Sequence, residues 1–213
     1  MNLKSRLSGL MLVSVFAMGL NAGTALAKPS IVLDSGQTRV SLSDDFIGAL
    51  GALGLSAGSV GNGSLRGTIA RFAVVGGVLD LQNAKGEINH SGGLFLATQT
   101  TRVDLSSFNI ETSGPRPILT GLVTVNGNFV GRIPLFWLEL PVLTLPIQPR
   151  AFGSVYVPGV KVTLAPEAAQ ALNAVFKVSA FVPGFSIGRA QVFAISSSSG
   201  HGRGQNKDDE EDD

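Results

Sequence analysis

The chain has no cysteine, one tryptophan, one tyrosine and two histidines in 213 residues. The missing thiol excludes disulfides, thiolate metal sites and thiol nucleophiles, so stability must come from an ordinary apolar core. Charge is also scarce, at 15% of residues against 44% hydrophobic ones. Of the two imidazoles, His201 lies in a Ser/Gly-rich tail, which leaves His90 alone in the folded body. Few groups remain for acid–base or nucleophilic chemistry. The expectation is a protein that is not an enzyme and has no metal centre.

The ends of the chain are distinct from its middle. Lys4 and Arg6 precede an uncharged apolar run from Leu7 to Leu20, and Ala25-Leu26-Ala27 supplies small residues for cleavage. That order reads as a secretory signal peptide over 1–27, with the mature chain starting at Lys28. The run is shorter than the ~20 residues of a spanning helix, and no later stretch is long and uninterrupted enough to span, so no transmembrane segment is expected after cleavage. Export is the expected fate, to the periplasm or to the cell surface and beyond. From Ser196 the sequence becomes SSSSGHGRGQNKDDEEDD, which reads as a disordered, solvated tail over 196–213. Acids clustered without fixed geometry select a metal poorly. Between these ends, residues 28–195 suffice for a single β-rich domain with one core. This body carries 12 Lys/Arg and 9 Asp/Glu, the tail 2 and 6. The body's cations are scattered singly along the sequence, so no nucleic-acid partner is expected.

Turn signals recur through the body, with short alternating apolar runs between them. Gly76-Gly77 is flanked by Phe72–Val75 and Val78–Leu81, and Asn126-Gly127 by Val123–Val125 and Phe129–Ile133. Both read as tight hairpins, the Asn-Gly pair more strongly. Leu94 and Leu96, Val103 and Leu105, and Phe108 and Ile110 show period-two patterning. The fold class expected is mainly β: a single antiparallel β-sandwich or barrel-like domain with two short helices. The helices are SLSDDFIGALGAL, with Ser43 as cap and Phe46, Leu50 and Leu53 on one face, and TLAPEAAQALNAVFK, with Pro166 in the first turn. An offset of 122 residues aligns Val40-Ser41-Leu42 with Val162-Thr163-Leu164 and Leu50 with Leu172. With a one-residue shift, Gly67–Val74 then aligns with Gly188–Ile195. Duplicated strand–helix–strand units explain this economically, although a Gly/Ala/Leu/Val-rich chain also produces chance matches.

Candidate chemistry is sparse. Gly54-Leu-Ser-Ala-Gly58 matches a nucleophile elbow around Ser56, but the elbow needs a strand before the serine and a helix after it, and the local patterns are the reverse. The Gly61–Gly67 run lacks the Lys-Ser/Thr pair of a phosphate loop and reads as a loop leading into a strand. Asp80, Glu87 and His90 have no spacing that places them on one face as metal ligands. His90 itself precedes Ser91-Gly92-Gly93 and reads as a solvated, turn-flanking residue with a residual claim as a ligand. The segment GRIPLFWLELPVLTLPIQPRAF is apolar but punctuated by Pro134, Pro141, Pro146 and Pro149, which forbid a central, fully paired strand. It reads first as an edge strand or covering loop that buries Trp137, Leu140, Val142 and Leu145, and second as an apolar groove.

Between Gly67 and Glu111 the runs GTIARFAVVGGVLDL, GEINHSGGLFL and VDLSSFNI loosely resemble exported bacterial β-domains of the haem-transport, HtaA-type class. A second resemblance, to uncharacterised secreted bacterial proteins, adds the T-L-x-x-x-A-A-x-A-L-N helix at Thr163–Asn173. Together these imply an exported, β-type binding module without enzyme activity. The haem-transport class uses a tyrosine ligand near an early Ser-Phe motif. The nearest region here, Ser43-Asp-Asp-Phe46, has no tyrosine, and the one tyrosine of the chain is Tyr156. That ligand does not carry over.

The functional expectation is a secreted or periplasmic, non-enzymatic β-rich protein that binds an unknown small apolar ligand or an envelope component. One alternative is a module for haem or another apolar cofactor, with Tyr156 or His90 as ligand and Phe136 and Trp137 in the pocket wall. The other alternative is surface adhesion or self-assembly.

Overall fold

The computed structural model describes residues 29–196, so the expected signal peptide over 1–27 and the tail after Ser196 lie outside the described residues. Ser196 itself is buried and donates its N–H to the Gly153 carbonyl. The chain forms β1 (Ser30–Leu33), β2 (Ser35–Leu42), α1 (Asp44–Ala52), β3 (Ser56–Val60), β4 (Ser64–Arg66) and β5 (Ile69–Asp80). It continues with β6 (Gly86–Ser91), β7 (Gly93–Ala97), β8 (Arg102–Glu111), β9 (Ile118–Val125) and β10 (Asn128–Glu139). A short 3-10 turn at Ala151–Gly153 leads to β11 (Ser154–Leu164), α2 (Pro166–Phe176) and β12 (Ser186–Ile195).

Eight strands close into an antiparallel barrel in the order β5–β2–β12–β11–β10–β9–β8–β6, with β6 returning to β5. Beyond the closed ring, β1 and β4 pair with β5, and β7 and β3 continue from β8. Of the two architectures expected, sandwich or barrel, closure selects the barrel and leaves no open edge within the ring. Alternation creates the inside. Thr38 and Leu42 of β2 are buried while Gln37, Arg39 and Ser41 are exposed, and β12 buries Ala190, Val192 and Ala194 against exposed Arg189, Gln191 and Phe193.

Glycines and bulges decide where the pattern is not simple. Asn126-Gly127 forms the expected hairpin, with both residues at positive φ (50° and 81°) and Val125 paired with Asn128. The Gly76-Gly77 hairpin does not form, because β5 runs unbroken through it. Gly77 is needed for close approach instead: an added Cβ would lie 2.4 Å from the Glu87 carbonyl oxygen on β6. A register shift between Val74 and Gly76 marks a bulge there, the other meaning of glycine inside a strand. In β8, Ser107 at φ 50° sits in a second bulge, which carries the inward phase from Val103 and Leu105 to Phe108 and Ile110.

The helices follow parallel strands. β2 and β11 both flank β12 antiparallel to it, so α1 and α2 sit at the same end of the barrel. The Ser43 hydroxyl caps α1 by accepting from the Phe46 N–H, and Phe46 and Leu50 turn inward. Pro166 opens α2, whose Ala168, Ala169 and Leu172 are buried. Leu42 and Leu164, like Leu50 and Leu172, are buried in corresponding places. The shifted alignment of the return strands is not matched in facing: Phe72 is buried while Phe193 is 41% exposed. A one-residue slip reverses every side chain, and without it Phe72 meets Ala194, buried like itself.

The proline-punctuated segment divides in two. Its first part is β10, which pairs with β9 along most of its length but with β11 only from Phe136 to Glu139. Pro134 lies in the one-sided stretch beside a register shift, where its missing N–H breaks no ladder on the free side. The second part, residues 140–150, crosses the barrel end opposite the helices and is tied to the end of β5 by the Ile147 N–H on the Leu81 carbonyl. Leu140, Leu143 and Ile147 face the interior, but Val142 is fully exposed and Leu145 is 46% exposed. The expectation that both are core residues therefore fails. Prolines 141, 146 and 149 take the chain out of the sheet, and only part of its side chains can reach inward.

Candidate functional site

The barrel encloses a cavity of about 190 Å³. Phe46 and Leu172 close it at the helical end, Leu140 and Ile147 at the other. Its wall is hydrocarbon except at Thr38, His90 and Thr112. A closed eight-stranded ring is wide enough for side chains to fill or for one small ligand, and here the filling is incomplete.

His90 does not lie at a solvated turn. It is 4% exposed and points into the barrel. The left-handed turn falls two residues later, at Gly92 (φ 80°), so β6 keeps alternating and His90 follows buried Ile88 inward. Across the intervening β5, the Thr38 Oγ1 and His90 Nε2 atoms lie 2.7 Å apart. The Thr38 hydroxyl has no other acceptor among the described residues, so hydrogen-bond accounting makes it the donor and leaves the ring proton on Nδ1. Nδ1 has no partner of ordinary geometry. Burial lowers the His90 pKa from 6.5 to about 4, partly offset by the backbone of Phe108 and Ile88. The imidazole is neutral at physiological pH, and its nitrogens are turned into the wall, so that the chamber surface is almost wholly apolar.

The other predicted residues divide between inside and outside. Phe136 lines the cavity from β10. Trp137, the next residue, does not; the Arg116 guanidinium stacks 3.6 Å from its ring centroid. Tyr156 faces outward on β11 at 36% exposure, opposite Phe193, with the Arg150 guanidinium 5.3 Å from its ring centroid. His90 and Tyr156 thus belong to different faces of the wall. Thr38 was not singled out by sequence reasoning; its signal is the shared inward parity with Leu42.

The remaining motifs have structural explanations. The Ser56 hydroxyl donates to the Ala97 carbonyl on the neighbouring β7, and the His90 ring nitrogen Nε2 is paired with Thr38 instead. Gly54 follows a helix and precedes a strand, the opposite of a nucleophile elbow. Asp80 holds its own turn through the Gln82 N–H and the Asn83 amide. Among the described residues, no three His, Asp or Glu side chains converge.

The barrel has known counterparts. The C-terminal domain of HtaA from Corynebacterium glutamicum superposes with a TM-score of 0.60 at 16% identity, over 77% of this chain and 98% of that one. The N-terminal domain of the same protein gives 0.58 at 14% identity, over 78% and 99%. The heme-binding protein HtaB of that organism gives 0.54 at 10%, over 78% and 96%. The chain has the HtaA-type fold. At these identities the likeness is one of fold alone. No family model and no curated protein sequence matches the chain.

Proposed function

We propose that this chain is an exported, non-enzymatic binding protein that takes a small apolar ligand into the barrel interior. The observation that carries the reading is the 190 Å³ hydrocarbon-walled cavity with the Thr38–His90 pair set into it. An apolar cavity of ~150 Å³ already stays dry and accepts benzene or xenon, so this one suits a ligand of similar or slightly larger size. Benzene, indole and cyclohexanone added to the mature protein are expected to give saturable shifts of the interior methyl resonances. Unsaturable or uniformly weak responses to all three would sink the proposal.

A second reading, haem binding, is favoured by the fold and by one surface feature. The interior does not fit a porphyrin, since its volume falls below the ~300–1,000 Å³ of pockets that enclose drug-sized ligands. The outer wall does fit in its donor chemistry. There Tyr156 would hold ferric iron, Arg150 a propionate, and exposed Phe193 a ring face. Haem bound there would supply redox-active iron. Haemin titration of the mature protein is expected to give a saturable Soret change that Tyr156→Phe removes. No saturable change, or one indifferent to Tyr156→Phe, would dispose of this site.

A further inference from the structure

The fold gathers cations that the sequence scatters. Arg39 of β2 and Arg71 of β5 are directly opposite each other on the outer face. Side chains so placed have Cβ atoms ~4.5–5.5 Å apart, and like charges there destabilise the sheet. Arg189 of β12 pairs with Ser41, which puts it diagonally beside Arg39, and Lys161 of β11 pairs with Arg189. Lys161 is matched by Glu139 at 3.2 Å, and Asp44 shares a surface recess with Lys161 and Arg189. Among the described residues Arg39, Arg71 and Arg189 form no ion pair. Three guanidiniums, those of exposed Arg39 and Arg189 and half-buried Arg71, therefore share the outer face with no ion-pair partner among the described residues.

The chain carries its own counter-charge. Asp208, Asp209, Glu210, Glu211, Asp212 and Asp213 are consecutive acids, and Asp208 is 12 residues beyond Ser196 (208 − 196). From Arg189 to Ser196 along β12 is ~23 Å at the strand rise of ~3.3 Å per residue. A link of 12 residues extends to at most ~40 Å, which exceeds that distance. Tethering at that length supplies an effective concentration on the order of millimolar. We propose that the acidic segment Asp208–Asp213 docks on the Arg39–Arg71–Arg189 cluster of its own chain. Docked, it neutralises the face and shields it from other polyanions.

Because the chain has no cysteine, Gln205→Cys gives a unique spin-label site that leaves all six acids in place. In the full chain at low salt, amides around Arg39, Arg71 and Arg189 should lose about half or more of their intensity, the result for a tethered partner at millimolar effective concentration whose Kd is of that order or lower. The loss should reverse near 1 M salt, where the screening length is ~3 Å. The combined Arg39→Gln, Arg71→Gln and Arg189→Gln variant should abolish it, with an otherwise unchanged spectrum reporting an intact barrel. Broadening that is absent, or spread evenly over the barrel, overturns the proposal. So does broadening that appears only between labelled and isotope-enriched molecules, which would make the occupant a second copy. Phosphatidylglycerol vesicles that perturb the cluster equally with and without residues 208–213 would assign the face to a lipid surface instead.

Discussion

Phe72→Ala is expected to lower the unfolding free energy by about 3–5 kcal/mol, the range for deleting a buried aromatic ring from a core that cannot collapse around the gap. Phe72 is 7% exposed, lines the cavity and meets Phe108 edge-on, with ring centroids 4.9 Å apart at 83°. Truncation removes the ring's own burial and the ~0.5–1.5 kcal/mol of the aromatic pair. It also extends a void that already exists, and a hydrogen-bonded ring of strands resists closing over it. Urea denaturation of the mature protein checks the magnitude. A loss below about 1 kcal/mol would mean that the ring is not packed in a rigid interior. The same variant links stability to binding: an apolar ligand that fills the enlarged chamber should restore stability in proportion to ln(1 + [L]/Kd).

Acid should unfold the barrel partly through His90. The folded pKa is about 4 and the ordinary value 6.5, so between these limits the unfolded chain binds a proton that the folded one does not. Stability therefore rises with pH through that window, is fully present above about 6.5, and is lost as pH falls towards 4. A difference of this size corresponds to about 3 kcal/mol at 1.36 kcal/mol per unit. Among the described residues no carboxylate faces the ring: exposed Glu87 and half-buried Asn89 alternate outward on β6, and the cavity wall contains no charged group. His90→Gln keeps a partner for the Thr38 hydroxyl while removing the titration. Urea titrations at pH 7.5, 5.5 and 4.5 should show a shallower decline for the variant by about that amount. Parallel declines would show that His90 does not titrate in the window.

How much was legible beforehand depended on whether a feature is local. Both helices, the Ser43 cap and the Asn126-Gly127 hairpin follow from a few adjacent residues, because cap and turn chemistry acts over three or four positions. Gly76-Gly77 is ambiguous in sequence, since a glycine pair serves a tight turn and a close strand crossing equally well. His90 is hard to place from sequence for a related reason. Its neighbours Ser91-Gly92-Gly93 signal a turn, yet the strand phase inherited from Ile88 sends the ring inward. Sequence offers His90 and Tyr156 as alternatives for one pocket, while opposite parities place one inside the barrel and one outside.

The sequence by itself determined a cysteine-free, mainly β chain with two short helices, few groups for catalysis and an acidic end. Those properties rest on composition and short-range pattern, which need no knowledge of which strands meet. Tertiary structure alone decided that the sheet closes, that an apolar chamber remains inside it, and that Thr38 bonds His90 across β5. It also set Arg39, Arg71 and Arg189, far apart in sequence, side by side. Strand register makes these choices, and register is fixed by the long-range packing of one whole face against the core.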